Sequence, residues 1–329
     1  MPSNPQMSSS VEVVLQEDTL TMHGSADQSV GCALRGAVLV NLIKDTKVKF
    51  ISLRLKGKLK LKMTSDMPRK EQILIDETWP ILELSHQLYT LPKGQHQYDF
   101  EYPLSGKLPE SVKVSHGKII YKLYAVLEKP GFHRTLKASC PLTIHRVPLP
   151  STSDIADSPN IMISGTWASR MYYEAAIPAN TFAPGEIFPV TFHFYITDPL
   201  LEVDRIHSSM REYTIYRSAS FVRPSVQSKK LANLVQDYSR PPNVNDWEAT
   251  INVQVPDFVK SDCGPDYIEV CHKLEVKFCI SQGGLILDTV IHRFPIVVQS
   301  LEYNEVTLSP PAYRAIDSTC ELPPVYEVR

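Results

Sequence analysis

The sequence predicts an all-β protein made of two antiparallel β-sandwiches in tandem, followed by a short disordered C-terminal tail. Three observations carry that prediction. Apolar residues recur at period 2 through most of the chain, with almost no sustained 3.6-residue periodicity. Turn residues punctuate the short apolar runs at regular intervals. Between Val147 and Asn160 the composition shifts to Pro-Leu-Pro-Ser-Thr-Ser-Asp-Ile-Ala-Asp-Ser-Pro, a linker that leaves two halves of similar length. At 329 residues each half is long enough for its own core. The organisation expected is a disordered start over 1–10, a first sandwich over 11–146, a linker over 147–160, a second sandwich over 161–300 and a tail over 301–329.

In the first half, short apolar runs at Val11–Leu15 and Val38–Ile43 flank the turn signal Gly24-Ser25. The run that follows is the most regular in the chain. Leu53, Leu55, Gly57, Leu59, Leu61 and Met63 share one parity; Ser52, Arg54, Lys56, Lys58, Lys60 and Lys62 share the other. Such alternation means one half-buried antiparallel strand, or two joined by a bend at Gly57. One face packs on a core and the other presents Arg54, Lys56, Lys58, Lys60 and Lys62. A lysine row discourages edge-to-edge aggregation; it is also a candidate contact for phosphorylated tails or anionic lipid headgroups. Further strands are expected at Ile73–Ile75, Tyr98–Tyr102, Ile119–Leu127 and Leu142–Ile144. Turns are expected at Pro92-Lys93-Gly94, Pro103, Pro109, His116-Gly117 and Pro130-Gly131.

In the second half, Trp167–Ile177 reads as a strand and Ala183–Glu186 as a turn. Val190, Phe192, Phe194 and Ile196 alternate with polar partners, as do Ile268, Val270, Leu274, Val276, Phe278 and Ile280. Gly283-Gly284 marks a hairpin, and Ile286–Val298 a last strand or pair. The pattern around Ala33–Val40 is echoed at Phe182–Val190, which suggests an internal repeat. Over 228–240 the spacing of Leu231, Leu234, Val235 and Tyr238 fits a helix stopped by Pro241-Pro242, while the Ser, Lys and Asn content fits a loop equally well. Leu200–Asp204 resembles a clathrin-box pattern but sits inside a domain, where a plain strand or loop is expected.

Apolar content of 43%, charged content of 21% and a net charge of −2 describe an ordinary globular chain with no overall attraction for nucleic acid. Residues 1–10 have no signal-peptide pattern, and no run reaches the ~18 apolar residues of a spanning helix. A cytoplasmic chain is expected. Six cysteines, at 32, 140, 263, 271, 279 and 320, form no Cys-x-x-Cys pair and join no His cluster. They read as buried small hydrophobes rather than metal ligands, and no cofactor is expected. Gly-x-Ser-x-Gly, Gly-x-x-x-x-Gly-Lys-Ser/Thr and Gly-x-Gly-x-x-Gly are all absent, so no enzyme class is indicated.

The tail carries the most specific local signal. Pro310-Pro311-Ala312-Tyr313 and Pro323-Pro324-Val325-Tyr326 are two copies of Pro-Pro-x-Tyr. Paired prolines preset polyproline II geometry, so little entropy is lost on docking, and the tyrosine supplies an amphipathic anchor. WW domains bind such ligands. With 26 Pro and 15 Tyr, a shuffled chain would contain roughly 0.1 such motif, so two copies are not a chance pattern. The copies lie 13 residues apart, at most about 43 Å extended and about 20 Å as a flexible coil. Two domains of one partner can therefore be held together, and linking weak sites raises affinity by roughly 10² or more.

The order Leu91-Pro92-x-Gly94, Tyr98-x-Phe100-x-Tyr102, Leu108-Pro109-x-Ser111 and Gly117-x-Ile119-x-Tyr121-x-Leu123-x-Ala125 resembles the amino-terminal arrestin domain. Ala175-x-Ile177-Pro178, Pro184-Gly185-Glu186, Trp247 and Tyr267-Ile268-Glu269-Val270-x-His272-x-Leu274 resemble the carboxy-terminal one. With Pro-Pro-x-Tyr motifs after the second domain, the chain over about residues 11–326 is similar to the alpha-arrestins. The resemblance implies a bilobed, arrestin-like, non-catalytic adaptor recruited peripherally to the plasma membrane and endosomes. It would link cytosolic tails of membrane transporters or receptors to a HECT-type ubiquitin ligase whose WW domains grip Pro310, Pro311, Tyr313, Pro323, Pro324 and Tyr326. Its rivals are a retromer-like sorting scaffold without ligase recruitment and a pH-signalling arrestin scaffold. The charged core with which visual and beta-arrestins sense phosphate has no match in the sequence.

Overall fold

The computed structural model describes residues 8–62, 64–65, 68–85, 87–131, 135–147, 161–218, 223–237 and 244–299. The six tail residues Pro310, Pro311, Tyr313, Pro323, Pro324 and Tyr326 lie outside them, as does the linker apart from Val147.

The first lobe comprises β1 (Ser10–Leu15), β2 (Thr19–His23), β3 (Cys32–Leu42), β4 (Thr46–Val48), β5 (Phe50–Leu61), β6 (Lys70–Leu82), β7 (Tyr89–Leu91), β8 (Gly94–Leu104), β9 (Val112–Lys113), β10 (Gly117–Glu128) and β11 (Leu136–Val147). The second comprises β12 (Ile161–Trp167), β13 (Met171–Ile177), β14 (Thr181–Phe182), β15 (Ile187–Ile196), β16 (Leu201–Tyr216), β17 (Ser225–Asp237), β18 (Asp246–Gln254), β19 (Ile268–Gln282) and β20 (Leu285–Val298). All the described regular structure is strand, as the period-2 pattern demands.

Each lobe is two sheets facing one another over one core. The first stacks β1-β3-β8 against β2-β11-β10-β5-β6, and the second stacks β12-β13-β15-β18 against β14-β20-β19-β16-β17. Apart from β9, which pairs with β10 in the first lobe, the larger sheets correspond strand for strand. In both, a short strand pairs parallel with the lobe's last strand, β2 with β11 and β14 with β20. The long strand after that short one, β3 or β15, then enters the opposite sheet. The sequence echo between 33–40 and 182–190 does not fall on equivalent places: 33–40 lies within β3, whereas 182–190 runs from the end of β14 through a turn into β15.

The apolar parity read from the sequence is the buried one. Leu53, Leu55 and Leu59 on β5 are fully buried, as are Phe192, Phe194 and Phe278 in the second lobe, where the three rings meet edge to face or in parallel. Each such side chain contributes about 1.5–3 kcal/mol relative to exposure. The cores are not confined to their own halves: Tyr216, Ile268 and Val270 of the second lobe are buried in the first lobe's cluster.

Gly57 is not a bend. β5 runs unbroken from Phe50 to Leu61, and the irregularity is a bulge in its pairing with β6 between Gly57 and Lys58. The glycine is required by its neighbour, because a Cβ there would lie 2.5 Å from the ring of fully buried Tyr121 and 2.8 Å from Ile75. Gly57→Ala is expected to destabilise the chain by about 1–3 kcal/mol through overpacking. The check is a lower urea midpoint with an unchanged slope.

Two expectations are corrected. Trp167–Ile177 is not one strand but a hairpin, β12 and β13, turning at Ala168 and Ser169 with φ of 49° and 57°. No glycine or Asn-Gly signal marks that turn, because two small L-residues take the left-handed conformation instead. Over the described part of 228–240 the structure gives neither helix nor loop: residues 225–237 are the edge strand β17, paired antiparallel with β16, and Tyr238 lies outside the described residues. This is the second lobe's counterpart of β6. Its alternation is unreadable because the register shifts opposite Met210/Arg211 and most of its side chains face solvent on both sides. The glycine pair Gly283-Gly284 does form the β19–β20 hairpin, both with positive φ.

Candidate functional site

The basic strip lies on the outer face of the first lobe's larger sheet, and β6 answers it with carboxylates. Arg54 donates to both oxygens of Asp76 at 2.5 and 2.6 Å, and Lys56 reaches the same carboxylate at 3.1 Å. Hydrogen bonds from Arg54, then Lys56, hold the Asp76 carboxyl down at about 2. Further along the pair, Glu71 is shared between Lys58 at 2.8 Å and Lys60 at 3.4 Å, and the Lys58 bond holds its carboxyl below the usual range. Lys62 donates to the Ser115 carbonyl at 3.0 Å. Four β5 cations are thus clamped by two carboxylates, in exposed pairs that add little to stability. The sequence showed a strand at Ile73–Ile75 but not its pairing with β5, because the compensating acids are 11–22 residues away and interleaved with apolar residues.

The same face continues onto β10. There Lys118 stands in register with Lys60, and Lys122 with Lys56. Neither is ion-paired with a described residue, and both sit on the polar parity of a run whose alternation was plain in the sequence. Only the strand pairing shows that the two rows are neighbours.

At the lobe junction a polar cluster surrounds Arg146, which no local pattern marks. Its guanidinium donates to the carbonyls of Gly24 at 2.8 Å, Leu108 at 2.8 Å and Gly106, tying two loops to the end of β11. Glu110 bonds His145 and accepts from the Arg146 backbone N–H at 3.2 Å. Opposite, burial raises the carboxyl of Asp266, an effect that the positive charge of Arg146 partly offsets. A cavity of about 490 Å³ lies between Gly24–Gln28, Glu110, Arg146 and the second-lobe loop 261–266. Direct bonds cross the junction as well: Lys70 to Ser218 at 2.5 Å, Gln72 to Tyr267 at 3.2 Å, the His116 N–H to the Tyr216 hydroxyl at 3.3 Å, and Lys260 to the Lys113 carbonyl at 2.8 Å. Beneath it, fully buried His272 bonds Asp262 at 2.6 Å, and its other nitrogen lies 3.8 Å from Glu212.

The clathrin-box-like segment is strand: Leu201 and Val203 are fully buried in β16, out of reach of a partner. The five described cysteines are free and half-buried, not fully buried as expected, because Cys271 and Cys279 occupy the outer parity of β19. Burial, with Glu110 nearby, pushes the Cys263 thiol up to about 12, so it is a poor nucleophile.

Residues 25–147 match the profile of the arrestin (or S-antigen) N-terminal domain, and residues 167–303 that of the C-terminal domain. Among relatives, an arrestin domain-containing protein of Schizosaccharomyces pombe is 25% identical over 82% of this chain and 48% of its own length. A putative arrestin-related trafficking adapter of the same yeast is 24% identical over 72% of this chain and 54% of its own length. The HECT-type ubiquitin ligase-interacting protein apyA of Emericella nidulans is 26% identical over 58% of this chain and 53% of its own length. The chain spans about half the length of the curated relatives it matches.

Proposed function

We propose, for a chain that belongs to the arrestin family and carries both of its domains in tandem, that it is a non-catalytic trafficking adaptor. The two lobes hold a cytosolic segment of a membrane transporter or receptor. The two Pro-Pro-x-Tyr motifs, through Pro310, Pro311, Tyr313, Pro323, Pro324 and Tyr326, hold the WW domains of a HECT-type ubiquitin ligase. The chain does no chemistry of its own. It raises the ligase's effective concentration beside cargo lysines, which marks the cargo for internalisation or endosomal sorting. The work is done in the cytoplasm, at the plasma membrane and on endosomes. The observation that carries this reading is the pairing of two arrestin domains with two ligase-type motifs on one chain. Relatives named as trafficking adapters and as ligase-interacting proteins support it. Binding of isolated WW domains that depends on Tyr313 and Tyr326 tests it; a sorting scaffold that recruits no ligase would show no such binding.

The basic strip gives the adaptor a hold on anionic partners at the cytosolic membrane surface. Replacing Lys56, Lys58, Lys60 and Lys62 together with Gln is expected to weaken binding to anionic liposomes and flatten its salt dependence. Unchanged binding at low salt would leave the strip as solvated surface.

A further inference from the structure

Three cross-strand pairs on the outer face of the first lobe set like charges directly opposite one another: Lys56 with Lys122, Lys60 with Lys118, and Lys118 with Lys113 of β9. Such pairs cost stability in an antiparallel sheet. A fold selected for stability alone would place an acid or a neutral residue at one member of each. On the β6 side the charge is met: Asp76 and Glu71 each serve two β5 cations. On the β10 side, Lys113, Lys118 and Lys122 are ion-paired with no described residue. The face is therefore asymmetric, with a clamped row along β5 and an unclamped one beside it, on a surface formed by the broad outer side of four neighbouring strands.

We propose that this face is a docking surface for a planar anionic membrane, that Lys118 and Lys122 are its primary contacts, and that Glu71 and Asp76 attenuate it by engaging the β5 cations. The proposal deepens the strip reading given above, on which it rests, and moves the main contacts one strand over. Charge and shape choose the occupant. A broad sheet face bearing cations spread over neighbouring strands matches a charged plane better than a single phosphate, which calls for cations converging on one point. Attenuation follows from geometry: an ammonium already bonded to a carboxylate must exchange that partner before it gains from a lipid headgroup.

The test is co-sedimentation of the full chain with vesicles of phosphatidylcholine alone or containing phosphatidylserine. A cation at an anionic surface is worth roughly a fivefold change in partitioning, so Lys118→Gln with Lys122→Gln should lower binding to the anionic vesicles roughly thirtyfold. Glu71→Gln with Asp76→Asn should raise binding, by up to a similar factor. Lys56→Gln with Lys58→Gln should have the smaller effect of the two lysine pairs. All six positions are on the outer parity of their strands, and unchanged thermal unfolding of each variant confirms that the sheet is intact. Binding that falls with Lys56 and Lys58 but ignores Lys118 and Lys122 would overturn the assignment of primary contacts while leaving the strip reading standing. Wild-type chain that ignores phosphatidylserine altogether would overturn both. A phosphoserine peptide that binds through Lys118 and Lys122, with no vesicle binding, would replace the membrane by a peptide as occupant and overturn the proposal.

Discussion

Changing Tyr313 and Tyr326 together to Ala is expected to abolish capture of the chain by isolated WW domains, while either change alone leaves one weak contact. The tyrosine is the only large anchor of each motif, and the prolines before it position the ring but bury little themselves. Against a partner with two or more WW domains, the wild-type chain is expected to bind through both motifs, the second contact being intramolecular at a flexible-coil spacing of about 20 Å. A single substitution should therefore lower affinity for a tandem-WW protein by roughly 10², whereas affinity for one isolated WW domain falls only about twofold, as one of two equivalent sites is lost. Titration of both partners with the four chains measures the two effects separately. Equal affinity for tandem and single WW domains would show that the motifs act independently.

The second large effect is expected at the lobe junction. Tyr216 belongs to β16 of the second lobe, yet its ring is fully buried in the first lobe's core, beside Gly117 and Ile268. Gly117 makes room for it: a Cβ there would lie 2.7 Å from Ile268, 2.9 Å from Leu61 and 3.2 Å from the Tyr216 ring. The Tyr216 hydroxyl receives the His116 N–H at 3.3 Å, and the His116 ring bonds Gln227 of β17 at 2.8 Å. Tyr216→Ala should cost about 3–5 kcal/mol, the range for removing a buried aromatic side chain. Because that ring anchors a second-lobe strand in the first lobe's core, the loss should fall on the coupling between lobes as well as on the first lobe. Calorimetry should split one unfolding transition into two. Tyr216→Phe keeps the ring and loses about 1 kcal/mol of hydrogen bonding, so it should preserve a single transition. Two transitions already present in the wild-type chain would mean that the lobes are uncoupled and the junction carries no shared stability.

The parts of the fold that were legible in the sequence are those where burial is one-sided. On β5, β10 and β15 one face meets the core and the other does not, so alternation is strict and side-chain identity reports it directly. β17 was illegible for the opposite reason. It is an edge strand exposed on both faces and interrupted by a register shift, so its apolar residues carry no period and a helical spacing arises by accident. The β12–β13 turn escaped because its positive-φ residues are Ala168 and Ser169 rather than glycines. The strip was legible as a row of charges but not as half of a surface. Which strand lies beside β5, and whether it brings acids or more lysines, is fixed by pairings between residues 9 to 78 positions apart. Arg146 could not be found at all, since its partners are backbone carbonyls contributed by two distant loops.

Proximity labelling in cells, with the wild-type chain and with the chain carrying Tyr313→Ala and Tyr326→Ala, tests the bridging role most directly. Adaptor action predicts that the wild-type chain labels a WW-domain HECT ligase and membrane transporters or receptors together, and that the double variant loses the ligase while keeping the membrane proteins. Labelling of the ligase that is equally strong with both chains would contradict it.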